Sequence, residues 1–249
     1  SVQRPNALSM IITNPEPGKA KSLIKEKAHV ELSAGYQGSS GLIFKGTAIQ
    51  IRYARENPTD TYMGVVATGG DIPYNFGVVS KTLAAGHTFR DQVDHVLEVF
   101  KPFGITEGFI SDLGKQKMPR AKTLFGMARD AMRTIAASTG STWWIDNDKL
   151  YLVKSTDAIP GEAVVLNSST GLIGMAEQTM DGIIAKCLLN PQIKPKTIIK
   201  IDQKSITPAA FSPDTAAAKT NDIIPSLAED GFYRAEIVTH EGDTRSEEH

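Results

Sequence analysis

Five histidines, one cysteine and 28 acidic residues are the groups in this 249-residue chain best suited to hold a metal, attack an electrophile or move a proton. The histidines are His29, His87, His95, His240 and His249, and the nearest two are His87 and His95. A two-histidine metal site on a helix needs i, i+4 spacing, and these two are eight apart. Solvated or hydrogen-bonded rings are the expectation. Cys187 has no second cysteine to pair with, which removes an intrachain disulfide and any zinc site of several thiolates. Within GIIAKCLL it reads as a small buried hydrophobe. Asp112, Asp130, Asp146, Asp148, Asp157 and Asp181 mostly fall where turns are expected, and there a carboxylate bonds neighbouring backbone amides. Among Glu98, Glu107, Glu162 and Glu177 a glycosidase pair would require the fold to bring two carboxylates to a fixed separation. Isolated surface carboxylates are the commoner state.

Other motifs are weaker. PGKAKS, residues 17–22, contains a Gly-Lys pair, yet Thr13 stands where a phosphate loop needs its first glycine. GTAIQI lies inside a strand pattern with no helix after it, so it is not a dinucleotide fingerprint. Neither a GxSxG elbow nor an HExxH pair occurs. Trp143 and Trp144 are adjacent, and alternation along a strand aims the two rings at opposite faces. One is expected in the core beneath a helix. The other is either an exposed partner or sugar contact or half of a cross-strand aromatic pair. The resulting expectation is a chain with no catalytic, cofactor-binding or metal-binding residue.

Composition agrees with an ordinary globular protein, 41% hydrophobic and 22% charged. With 27 basic against 28 acidic residues, the excess of positive charge that phosphate neutralisation requires is missing. No apolar run approaches the ~18 residues of a membrane span, and SVQRPNALSM lacks the apolar core of a signal peptide. A soluble chain made in a reducing cytoplasm is predicted.

The elements that must position these residues fall into three stretches. From Ala28 to Lys81, AHVELSA, GLIFKGTAIQIRY, TYMGVVATG and NFGVVSK read as successive strands of an antiparallel sandwich or barrel. After Gly46, Ala48, Gln50 and Arg52 alternate with Ile49, Ile51 and Tyr53, which predicts one dry face. The period then becomes helical in HTFRDQVDHVLEVFKPFG, with Phe89, Val93, Val96, Leu97 and Phe100 on one stripe, Thr88 as N-cap, and Pro102 and Gly104 as stops. A second helix is predicted from about Arg120 to Thr139, with Leu124, Met127, Ala128, Ala131, Ile135 and Ala136 on its apolar side and Gly140 as C-cap. STWWID and KLYLVK around Asn147-Asp148 form a hairpin. Strands resume with AVVL, TGLIGMAEQ, GIIAKCLLN and TIIKID. Residues 206–228 read as a surface loop before a last strand, GFYRAEIVTH. No fixed-period repeat is evident.

Three segments carry a resemblance. They are RPNALSMIITNPEPGKAKSLIKEKAHVELSAGYQGSSGLIFKGTAIQIR, TGLIGMAEQTMDGIIAKCLLNPQIKPKTIIKID and YRAEIVTHEGDTR. In order and spacing they resemble the central hub proteins of phage baseplates, a family related to the hub part of contractile-tail and type VI secretion spikes. Lys194-Pro195-Lys196 stands where that family has a Lys-Pro-Gly turn. The chain would start inside its first barrel and stop at GDTR, ahead of a further strand.

The resemblance implies an α+β, mainly β fold with two tail-tube-like antiparallel β-barrels flanking a small α/β insert. Residues 1–81 would be the first barrel domain, lacking its N-terminal strand, 82–155 the insert and 156–249 the second barrel with its loop at 206–228. It further implies a homotrimer, a ring of pseudo-sixfold symmetry joining the hexameric tail tube protein to the trimeric central spike protein. DNA would pass through the lumen without specific binding. The place implied is the tail baseplate of a phage or prophage virion, after synthesis in the host bacterial cytoplasm. Leu172, Ile173, Ile183, Ile184, Leu188 and Leu189 are expected in the second core or a subunit contact. The alternatives are a tail-associated peptidoglycan-degrading enzyme and a carbohydrate-binding module.

Overall fold

A computed structural model describes residues 5–24, 28–36, 38–208 and 227–244. The chain divides into two compact units, one of Ser1–Ser33 with Leu42–Asp157 and one of Ala34–Gly41 with Ala158–His249. Strands dominate both, and among the described residues no helix is long and apolar enough to cross a membrane.

The first unit begins with β1 (Ala7–Thr13), α1 (Pro17–Leu23), β2 (His29–Ala34), β3 (Gly41–Arg55) and β4 (Thr61–Thr68). Their sheet runs β1-β4-β3-β2, so the first strand crosses over to pair antiparallel with the fourth. Its buried face packs Ala20, Ala48, Met63 and Val65, with Met10, Ile12, Val30, Ile51 and Tyr53 partly buried around them. The dry face of β3 is not the regular alternation expected from sequence. A bulge between Ala48 and Gln50 inserts Ile49, which swings outward and is 59% exposed. The buried phase shifts across it, from Phe44 and Ala48 before the bulge to Ile51 and Tyr53 after it.

The α/β part follows: α2 (Asp71–Phe76), β5 (Val78–Leu83), α3 (Phe89–Phe100), β6 (Thr106–Ile110), β7 (Lys122–Met127), α4 (Ala128–Thr139), β8 (Ser141–Asp146) and β9 (Lys149–Lys154). Thr88 caps α3 through a reciprocal pair with Asp91, Thr88 accepting from the Asp91 amide and the Asp91 carboxylate accepting from the Thr88 amide. The second helix, expected from about Arg120, starts only at Ala128 and is 12 residues long. KTLFGM is a strand, because Leu124 alternates with exposed Thr123 and Phe125 and pairs residue for residue with β5. Only from Ala128 does the helical stripe of Ala128, Met132, Ile135 and Ala136 take over. Gly140 ends α4 at φ 60°, a left-handed conformation that suits glycine. Asn147 and Asp148, at φ 48° and 59°, close the β8–β9 hairpin as predicted. Sheet β6-β9-β8 packs Trp143, Ile145, Leu150 and Leu152 onto both helices. The β5–β7 ribbon has its own small core of Val79, Leu83 and Leu124.

The second unit holds β10 (Val164–Leu166), β11 (Leu172–Thr179), β12 (Gly182–Cys187), β13 (Ile198–Ile201), β14 (Ile206–Thr207) and β15 (Phe232–Arg234). They form two three-stranded sheets, β10-β13-β15 and β12-β11-β14. Leu166, Leu172, Ala176, Ile193, Ile201 and Ile206 make their shared core. The segment read as a loop over 206–228 starts instead with β14, which pairs parallel to β11 and buries Ile206; 209–226 lie outside the described residues. The last strand is three residues long rather than ten.

Candidate assembly surfaces

The residues singled out for chemistry are dispersed. His29 lies 3.4 Å from Glu31, and His95 3.1 Å from Glu98, which holds the Glu98 carboxyl below its ordinary range. His87 is buried, its Nδ1 2.8 Å from the Ala84 carbonyl. His249 lies outside the described residues. Glu107 accepts from Arg90 at 2.6 Å and Asp130 from Arg133 at 2.7 Å. Asp146 accepts from Asn6, and Asp148 pairs with Lys45 at 3.1 Å. Asp112 bonds the Gly114 amide, the turn role expected of it. Among the described residues no three His, Cys, Asp or Glu side chains converge as a metal site. Cys187 is half-buried against the second core, and burial pushes its thiol up. Gly18 and Lys19 sit within α1, a helix turn rather than a loop open to phosphate.

The tryptophans decide between the two alternatives left open for the second ring. Trp143 enters the α/β core and stacks on Tyr74 at 5.9 Å. Trp144 faces the other way, as alternation requires, but it is also buried and lies flat against Tyr151, its direct partner across the hairpin, at 5.2 Å. The cross-strand pair explains Trp144, and no exposed tryptophan is left to stack on a sugar.

The surfaces left unexplained are apolar. On the outward face of the first sheet, Ile11 is 70% exposed, with Ile49 and Val66 also exposed. In the second unit, register places Ile173 opposite Lys186 and Ile184 opposite Glu177, all four outward. Ile173 is 51% and Ile184 56% exposed, and a bulge between Ile173 and Glu177 pushes Met175 out beside them. Of the six residues expected in the second core or a contact, Leu172 is buried and Ile183 half-buried in it, Leu189 is half-buried, and Ile173, Ile184 and Leu188 face out. Sequence reasoning missed which was which because strand length alone does not set the phase of alternation.

Lys196 occupies the turn where a glycine was expected, and it takes φ 68°, the left-handed conformation itself. Its amide donates to the Ala235 carbonyl, and its own carbonyl accepts from the Ile159 amide. The side chain is buried and donates to Glu236, which also accepts from Arg234 at 2.8 Å. Burial pushes the Glu236 carboxyl up, but Lys196 and Arg234 together outweigh it and hold the group below its ordinary range.

No family model matches the chain, and no curated protein matches it. Among solved structures it is similar to the 43 kDa tail protein of prophage MuSo2 from Shewanella oneidensis, at 11% identity and TM-score 0.47, over 88% of this chain and 69% of that one. It is similar to a tail protein from Neisseria meningitidis at 11% identity and TM-score 0.46, over 88% and 67%. A type VI secretion system component of E. coli aligns at 10% identity and TM-score 0.48, over 80% of this chain and 61% of that one.

Proposed function

We propose that the chain is a structural hub subunit of a phage or phage-like tail, not an enzyme. Three copies form a ring of pseudo-sixfold symmetry in the baseplate, joining the tail tube protein to the central spike protein. The observation that carries this reading is the pair of outward apolar faces, Ile11, Ile49 and Val66 in one unit and Ile173, Met175 and Ile184 in the other. Exposed apolar patches on open sheets mark surfaces that assembly covers. All of these residues except Val66 lie in the segments that resemble baseplate hubs.

In this reading each chain supplies two tube-like barrels, one built on β1–β4 and one on β10–β15, with the α/β part inserted between them in sequence. Six barrel positions then surround one channel. Net charge −1 suits a wall that DNA passes without being gripped. Acidic and neutral side chains are expected along that channel rather than a basic stripe. The test is the solution mass of the full-length chain with its spike partner. Three copies of the chain in the complex supports the ring, and a stable monomer or dimer under those conditions overturns it.

A further inference from the structure

We infer that the edge of β1 left unpaired among the described residues joins, in a neighbouring copy, the edge of β12 likewise left unpaired among them, continuing a sheet across the subunit boundary. This rests on the ring reading above and names the strands that close it. β1 is the longest edge strand among the described residues, seven residues of sequence ALSMIIT, matched one for one with β4 and free of bulges. It carries no charge and no proline, the two commonest devices that keep an exposed edge from recruiting another strand. The opposite edge of the same sheet is guarded: β2 carries His29 and Glu31, and Glu31 is tied to Lys45 at 3.1 Å. One edge is built to stay in water and the other is not.

The partner edge follows from matching faces. β1 turns Leu8, Met10 and Ile12 inward, all half-buried, and Ser9 and Ile11 outward. β12, the edge of β12-β11-β14, turns Ile183, Ala185 and Cys187 inward, also half-buried, and Ile184 and Lys186 outward. Laying the strands edge to edge joins two rows of inward apolar residues that, among the described residues, have no strand beside them on one side, and brings the outward Ile11 and Ile184 into one patch. Cross-strand apolar contacts of that kind are the unit of sheet stabilisation. Among the described residues of the second unit, the other strands at a sheet edge, β10, β14 and β15, are two or three residues long and offer β1 little to pair with. Because β1 and β12 are different surfaces, the contact is head-to-tail, the kind that closes into a ring.

The experiment uses the full-length chain with its spike partner, in a Cys187→Ser background. Ile11→Cys is introduced into one tagged copy and Ile184→Cys into a second, differently tagged copy, and a short bis-maleimide is added to the mixture. The ring mass is read on the same samples. The expected result is a covalent dimer containing one chain of each tag, and closed three-chain products when both cysteines are in every chain. A ring of the expected mass without that cross-link overturns the β1–β12 pairing and leaves the hub reading standing. A cross-link confined to single chains overturns it too. Failure to form any ring overturns both. In an independent arm, Ile11→Lys should abolish the ring while leaving the melting temperature of the monomer unchanged, and persistence of the ring in that variant contradicts the pairing.

Discussion

Lys196 is held in a conformation that costs a non-glycine residue roughly 1 to 3 kcal/mol, so its neighbours must over-determine it. Two backbone hydrogen bonds and the bond to Glu236 do so. Glu236→Gln keeps the side-chain shape and removes the charge. Because Glu236 is half-exposed, solvent screening limits the loss to about 1 kcal/mol, seen as a lower denaturation midpoint at neutral pH. The sign with pH follows from the depressed carboxyl. Its contribution is fully present above about pH 4.3, the unfolded value for glutamate, and drains away as pH falls through the lower folded value. The wild-type chain should therefore lose more stability between neutral pH and acid than the Gln variant does; parallel losses would contradict this. Gly46 is tied to the fold differently. A Cβ there would lie 2.5 Å from the Thr68 carbonyl oxygen and 2.8 Å from the Phe44 ring, in the middle of the first sheet. Gly46→Ala is expected to cost about 1 to 3 kcal/mol, because backbone must move, and calorimetry of the purified variant checks it.

At the scale of elements, the phase of alternation decides which apolar residue matters. Leu172→Ala removes a side chain from the second core and should cost about 2 to 4 kcal/mol, whereas Leu188, 37% exposed and outside that core, should cost under about 1 kcal/mol in the isolated chain. Equal shifts in the two urea midpoints would show that the placement is wrong. Local signals in the sequence were enough for α3 and for the β8–β9 hairpin, since the Thr88–Asp91 cap and the Asn147-Asp148 turn act within a few residues of themselves. What escaped was set by distant partners. β7 is a strand because β5 lies beside it, and Ile49 is outward because of a bulge against β4. β14 forms in a Pro- and Ala-rich stretch because β11 offers it a parallel edge. The candidate surfaces were half legible: strand length located β11 and β12, but their outward residues emerged only from register. The α/β part, with cores of its own, is proposed to fold as a unit. A fragment needs to begin ahead of Val78 to keep the β5–β7 ribbon whole, and 71–155 should show one cooperative transition.

In the whole molecule, the outward apolar faces are the surfaces that something must cover. Two units with open sheets, an uncharged edge at β1 and a second apolar face at β11–β12 are the properties expected of a part rather than of a finished particle. In the proposed ring each edge would be paired with a neighbour, and the near-neutral net charge would leave the channel without a grip on DNA. The measurement that tests this most directly is electron microscopy of the full-length chain bound to its spike partner. The expected particle is a threefold ring with six similar β-rich densities around one open channel, and a lumen lined by acidic and neutral side chains. A particle containing one or two copies, or a ring whose lumen is strongly basic, would contradict it.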